Sequence, residues 1–406
     1  MPSPSFSMKT RAGGKASCAL IAGIGVFCSL PMQALASDSA LWKLSGDFRL
    51  RYEHVEQDQD AASAPKPAEA LTLRSSVALD LTPNDAFSAR LKVEDSRHAG
   101  IDRFNDTQGQ EPSRSVIADP ETTELDEAWL RYKNGGHQFT LGRQLLNRDG
   151  LRMVGNVGWR QDNQSFEAFD WQYKSGPWST RYSRITERLR IFADERDIES
   201  KDHLFDVARD TSIGKVSGYY YRLQSEASGA PEVNTTGIRV AGKKQGWSYL
   251  AEYAKQVNDP DGAELEANYT HLQVGKQLGQ FNLSIGQEVL GSDDGSYGFA
   301  TPLATLHKYN GWADQFLNTP NQGLEDQYLS VKYSQSGFTA LVMAHDYSTD
   351  DSSAFDDLGE ELNILIKQKV MKGVVVGVKG AAYRAGDPAS NRIDADKVWV
   401  WASYSW

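Results

Sequence analysis

The sequence predicts an all-β fold: a transmembrane antiparallel β-barrel, most simply of eighteen strands, with sixteen as the alternative. Three observations carry this prediction. Apolar and polar residues alternate with period two in one segment after another. The links between those segments are alternately short and long. After the first 36 residues, no apolar run reaches the ~20 residues that a spanning helix needs. A mean hydropathy of -0.53 is polar for a membrane protein. It suits a barrel, in which only alternate residues of each strand meet lipid.

The N-terminus reads as an export signal. Lys9, Arg11 and Lys15 form a positive head, Ala16 to Leu30 an apolar run, and Ala34-Leu35-Ala36 a small-residue cleavage pattern. Residues 1–36 are therefore expected to be removed, leaving a barrel over 37–406. Cys18 and Cys28 leave with the signal, and neither has the context of a lipid-modified cysteine. The mature chain then has no thiol for a disulfide or a metal. The formal charge of -11 becomes -14 once the three basic signal residues are gone, which argues against nucleic-acid binding.

The strands follow in order. In 42–53, Leu44, Gly46, Phe48, Leu50 and Tyr52 oppose Lys43, Ser45, Asp47, Arg49, Arg51 and Glu53. In 71–80, Leu71, Leu73, Ser75, Val77 and Leu79 oppose Arg74, Ser76 and Asp80. Past the Thr82-Pro83-Asn84-Asp85 turn, Phe87, Ala89, Leu91 and Val93 oppose Arg90, Lys92 and Glu94. The same pattern places strands at 124–132, 137–145, 164–173, 178–185, 202–209, 215–224, 233–242, 247–256, 264–276, 280–290, 325–335, 338–347, 359–370, 374–383 and 394–406. Reading 178–185 and 202–209 as loop reduces the count to sixteen. Short turns such as Lys133-Asn134-Gly135-Gly136 alternate with long links at 54–70, 96–123, 146–163, 186–201, 291–324 and 348–358. The last strand carries Val398, Val400, Ala402, Tyr404 and Trp406 on one face and closes the sheet. Its aromatic end resembles the signal read by the outer-membrane barrel-assembly machinery.

No metalloprotease helix, phosphate-binding loop or nucleophile elbow is present, and the histidines are scattered, so no enzyme and no cofactor is expected. The chemistry lies in inward charge. Charges facing lipid are costly, so period two turns Lys43, Arg49, Arg51, Arg74, Arg90, Lys92 and Arg131 inward, together with Asp47, Asp80, Glu94, Asp126, Glu127 and Asp170. Arginines in excess over their local partners would attract an anion, and the remainder would pair across strands. Arg143 and Arg160 are further channel-lining candidates. Arg143 shares parity with Phe139 and Leu141, so a bulge or the membrane edge would be needed to turn it inward. Acidic stretches at 56–60, 259–261 and 350–361 are expected to be outermost, with weak Ca2+ or lipopolysaccharide bridging as their sharpest reading. The link 291–324 is too aromatic to be left exposed and is expected to fold onto the mouth or into the lumen. Its constriction candidates are His307, Lys308, Trp312 and Asp314.

The run Leu306-His307-Lys308-Tyr309-Asn310-Gly311-Trp312-Ala313-Asp314 resembles the alginate export family of outer-membrane barrels. So do Asp149-Gly150-Leu151-Arg152, Val154-Gly155-Asn156-Val157-Gly158-Trp159-Arg160-Gln161, Leu141-Gly142-Arg143-Gln144 and Gln164 to Phe169. The resemblance spans roughly 40–406. It implies an eighteen-stranded monomeric barrel in the outer membrane of a Gram-negative bacterium, held among lipid and lipopolysaccharide. It also implies that Arg131, Arg143, Arg152 and Arg160 reach the constriction, with Asp126 and Asp170 orienting them. Arg152 would require the link 146–163 to fold inward. The function expected is a passive channel for small anionic or sugar-acid solutes. Export of an acidic polysaccharide such as alginate, a non-selective pore and a surface-binding barrel are the alternatives.

Overall fold

The computed structural model describes residues 41–58, 64–193, 196–226, 232–259 and 264–406; the expected signal peptide and parts of the acidic stretches at 56–60 and 259–261 lie outside the described residues. The strands of one half are β1 (Trp42–Gln57), β2 (Ala68–Leu81), β3 (Phe87–Arg103), β4 (Thr122–Asn134), β5 (His137–Gln144), β6 (Ser165–Ser175), β7 (Trp178–Leu189), β8 (Ile198–Thr211) and β9 (Gly214–Gln224). Those of the other half are β10 (Glu232–Lys244), β11 (Trp247–Asp259), β12 (Leu265–Leu278), β13 (Phe281–Leu290), β16 (Leu324–Gln335), β17 (Phe338–Ser348), β18 (Asp357–Met371), β19 (Val374–Arg384) and β20 (Ala395–Ser405). A small hairpin, β14 (Ser292–Asp293) with β15 (Tyr297–Gly298), decorates the link between β13 and β16.

Each barrel strand pairs antiparallel with its neighbours in sequence, and β20 returns to β1 from Asp47↔Ser405 to Gln57↔Ala395. The sheet is therefore an eighteen-stranded closed cylinder. The segments 178–185 and 202–209 lie within β7 and β8, which removes the sixteen-strand alternative. Closure satisfies backbone groups that hydrocarbon cannot, at a saving of several kcal/mol for each group. The seam is completed by backbone hydrogen bonds between Gly46 and Trp406, and only glycine leaves room there for the Trp406 ring.

Period two sorts the faces as expected. On β1, Arg49, Arg51, Glu53 and Val55 are buried inside, whereas Leu44 and Leu50 are exposed to the outside. Around the rest of the wall, Leu130, Leu141, Ile285 and Ile364 form an apolar outer band. At the short-turn end an aromatic belt includes Phe87 against Tyr132, with ring centroids 4.9 Å apart, and Phe281 against Tyr333 at 5.0 Å. Nearer the long links, outward tyrosines donate to polar neighbours: Tyr52 to Glu69, Tyr220 to Asn234 and Tyr253 to Asn268. Amphipathic rings at both ends of an apolar band mark two water–lipid interfaces. The tight turn Gly135-Gly136 has positive φ at both residues, as a two-residue hairpin matching strand twist requires.

Two departures from strict alternation have identifiable causes. Asp126 and Glu127 are adjacent yet both buried, because a bulge there slips β4 against β3 between Lys92 and Val93. Strands also run further towards the long links than alternation indicates: β3 continues to Arg103 and β8 begins at Ile198. Above the lipid both faces of a strand are polar, so the apolar half of the pattern disappears while the ladder continues.

Candidate functional site

The lumen contains the apolar core. Leu146, Met153, Val154, Phe299, Leu303, Trp312 and Phe316 come from two long links and pack on wall residues that include Phe166, Tyr269, Tyr347 and Trp399. The links are 145–164, between β5 and β6, and 291–323, between β13 and β16. Both fold inward, as the aromatic content of the second implies.

The two links are stitched to each other. Val154 and Leu303 form a parallel bridge, Gly155 N donates to Leu303 O at 2.8 Å, and Thr305 N donates to Leu151 O at 3.0 Å. Gly155 has no space for a Cβ, which would collide with Thr305 Oγ1. Wall carboxylates receive the second link: Glu361 accepts from the Ala313 N–H at 2.9 Å and also from that of Trp312. Asn310 donates to Glu288 at 2.7 Å and to Asp326 at 3.1 Å. Buried backbone donors need such partners, so the inward carboxylates of β13, β16 and β18 act as anchors for the plug.

Three of the expected arginines serve the same purpose, and others pair along the wall. Arg49 donates to Gln161 Oε1 at 3.0 Å and to the Gly158 and Arg160 carbonyls. Arg51 is fully buried and binds Asp119 and the Trp159 carbonyl. Arg152 pairs with Glu288 at 2.7 Å and donates to Asn310 at 2.9 Å. Arg74 pairs with Asp47, Arg90 with Asp80 and Glu127, and Lys92 with Glu94 and Asp126. Arg131 differs: no carboxylate among the described residues lies within ion-pair distance, and its guanidinium sits 4.1 Å from the Trp129 ring centre. Lys308 is exposed and donates to the Gly150 carbonyl at 2.7 Å.

Two expectations are corrected. Arg143 does not turn inward. It lies on the outer face with Leu141, at the long-link end of β5, and pairs with Glu167 directly opposite at 2.8 Å. With Gln144 buried on the inner face, no bulge exists to reverse the parity. Asp126 and Asp170 make no direct ion pair with Arg131, Arg143, Arg152 or Arg160. Asp126 holds Lys92 and Asn163, while Asp170 holds Arg181 at 2.8 Å and Arg148 at 3.6 Å.

The centre of the assembly is a charged and aromatic knot. Asp314 accepts from His307 Nδ1 at 2.6 Å, from Lys397 Nζ at 3.0 Å and from Arg160 Nη2 at 3.2 Å. Arg160 also reaches Glu53 at 3.2 Å. His307 Nε2 accepts from Lys379, whose ammonium lies 4.0 Å from the Trp159 ring centre, 4.1 Å from Trp312 and 4.9 Å from Trp399. Donating through one ring nitrogen and accepting through the other requires a neutral imidazole. Burial, assisted by Lys379 and Arg160 and opposed by Asp314, lowers the His307 pKa to about 3. Burial works against ionisation of Asp314, yet His307, Lys397 and Arg160 together hold its carboxyl well below the usual range.

Lys379 and Lys397 were missed by the sequence reading, although each is a charge on the inward parity of an otherwise apolar strand. Asp119 had no such signal, because it stands in a link. The same is true of Arg190 and Arg392, which reach the lumen only through the paths of their links.

Cavities lie on both sides of the knot, and no described residue lines both. One of about 810 Å3 opens at the short-turn end and reaches Arg148, Asp149 and Arg181. The other, about 590 Å3, lies at the long-link end, where Arg160, Arg190, Arg392 and Lys397 contribute cations. Asp314 is the one carboxylate among its described lining residues.

Residues 41–283 match the alginate export family. Among curated proteins, none matches the sequence. Several solved structures share the fold. OccAB4 of Acinetobacter baumannii is 13% identical with a TM-score of 0.69, covering 91% of this chain and 99% of that one. OccK9 (OpdG) of Pseudomonas aeruginosa is 14% identical with a TM-score of 0.69, covering 90% and 98%. OpdK of the same organism, solved with vanillate, is 13% identical with a TM-score of 0.64, covering 90% and 99%.

Proposed function

This chain belongs to the alginate export family, and from that premise we propose that it is a passive outer-membrane channel for small anionic solutes. It is an outer-membrane β-barrel with its long links directed outward. The observation that carries the reading is the outer cavity, in which several cations face a single carboxylate among the described lining residues. A cationic vestibule with low-dielectric walls concentrates anions and lowers the barrier to their passage. The plug of two links sets the size limit, and movement is diffusion down a gradient. One solved structural neighbour holds vanillate, itself a small anion. The monomer implied by the family resemblance is kept as the working unit.

Within this reading Arg160, Asp314 and His307 stand where a solute meets the plug. Arg49, Arg51, Arg152 and Trp312 hold the plug in place, and Arg131 offers a second cationic station along the wall. Planar-bilayer recording of the purified barrel tests the proposal. The expected result is anion preference in a salt gradient, with saturable block by small carboxylates. Cation preference, or conductance indifferent to carboxylates, would sink it.

A second reading, passage of an acidic polysaccharide, is favoured by one observation. Lys43, Lys133, Lys174, Lys332, Lys367 and Lys369 are exposed on the inward parity of strand ends near the short turns. Block by long oligouronates applied from that side, and not by short ones, would select this alternative.

A further inference from the structure

We propose that Arg160 and Lys397 form a carboxylate-binding site whose resting occupant is the protein's own Asp314, and that transported carboxylates exchange with it. The inference rests on the anion-channel reading and names the solute class and the station where it binds. Three donors converge on Asp314: His307 Nδ1 on one oxygen, and Arg160 Nη2 with Lys397 Nζ on the other. They come from both plug links and from β20, so the carboxylate ties three elements together. All four side chains also line the outer cavity, so this ion cluster is reached from outside. Asp314 itself is held at a φ of +60°, a conformation uncommon for a side-chain-bearing residue, at the position that puts its carboxylate between the two cations.

Exchange of one carboxylate for another preserves the charge balance. Opening the plug by withdrawing Asp314 alone would take from Lys397 its carboxylate partner and leave Arg160 with Glu53, and a buried ammonium stripped of its counter-charge is strongly unfavourable. A solute carboxylate taking its place removes that obstacle, so solute arrival and plug movement become coupled. The approach is marked as well. No carboxylate among the described residues lies within ion-pair distance of Arg190 or Arg392. Arg392 packs over Phe316 and Arg190 over Phe192, with 4.7 and 4.8 Å from guanidinium to ring centre. Ile191, Phe192, Leu306 and Leu317 form an apolar strip of the wall, beside polar Gln57, Asn105, Ser115, Gln164 and Gln315. The ligand that fits is a small monocarboxylate with an apolar or aromatic body, its carboxylate at the cations and its body against that strip.

The test is recording of Asp314→Ala barrels in planar bilayers with acetate or chloride at equal ionic strength. With the internal carboxylate gone, acetate should bind more tightly, its half-saturating concentration falling on the order of tenfold, and should restore the quiet low-conductance state that chloride does not restore. An identical response to acetate and chloride, or affinity no better than in the unaltered protein, would overturn the exchange site. Should Asp314→Ala not be recovered as a folded barrel, Lys397→Met decides. It keeps the Asp314 contacts to Arg160 and His307, and should raise the half-saturating acetate concentration several-fold; an unchanged value would refute the site. Loss of anion preference in the unaltered protein defeats the channel reading itself. Retained preference with unaltered variants defeats only this inference.

Discussion

His307 shows how a single side chain can set the pH range of the plug. Its imidazole lies between Asp314, Arg160 and Lys379, stacked on Trp159 at 5.3 Å, and is held neutral with a pKa of about 3. The unfolded chain takes up a proton near the ordinary imidazole value of about 6.5, whereas the folded chain does not. The contribution of His307 to stability is therefore complete above about pH 6.5 and is lost as pH falls towards about 3, by at most about 1.4 kcal/mol per unit. Denaturant unfolding in lipid vesicles across this range should show that loss, and channel recordings should become noisier on acidification. His307→Gln, able to donate and accept at neutral charge, should flatten the dependence; a variant titrating like the parent would place its origin elsewhere. The residues of this knot were partly legible. Arg160, His307 and Asp314 stood in motif-like runs; Lys379 was overlooked despite its inward parity, and which carboxylate served which cation depended on how the links folded.

At the scale of elements, the contact between the links 145–164 and 291–323 decides whether the lumen is filled. Gly155 matters for close approach. A methyl group there would collide with Thr305 and separate the bridge between Val154 and Leu303. Gly155→Ala should lower stability by about 1–3 kcal/mol, as overpacking does, and raise single-channel conductance. Circular dichroism would verify that the barrel persists, and unchanged conductance would show that the plug is indifferent to this seam. Lys379→Met removes the ammonium from three tryptophan rings and from His307. It should loosen the same plug while leaving strand content intact, read as a larger and less stable conductance. The strands were legible because lipid on one side and water or polar groups on the other impose period two. Arg143 was correctly suspect on parity, and the structure leaves it outside. The bulge at Asp126 and Glu127 was not legible, since two adjacent acids fit either a bulge or a turn.

Across the whole molecule, closure is the property on which everything else depends. Removing residues 398–406 would strip most of β20 and leave facing edges of β1 and β19 without partners in hydrocarbon. Each unpaired group costs several kcal/mol there, so the truncated chain should fail to give a compact, heat-modifiable band on unheated gels. A compact band would mean that the remaining strands can reseal into a smaller cylinder. Charge is also distributed over the whole molecule, with basic strand ends near the short turns and a cationic cavity at the long-link end. Anion preference should weaken as ionic strength rises, because screening over about 8–10 Å erases the field of exposed lysines first.

The amino-acid sequence by itself determined the barrel, its lipid-facing side and the inward turn of the aromatic link, and narrowed the strands to eighteen or sixteen. Those properties follow from the solvent each residue must meet, and solvent preference repeats along the chain with the period of the strand. The plug's architecture, the partners of each buried arginine and the placement of Asp314 between Arg160 and Lys397 were decided only in the tertiary structure. These contacts join residues as much as 158 positions apart along the chain. They depend on the paths of irregular links, which carry no periodic signature to be read in advance.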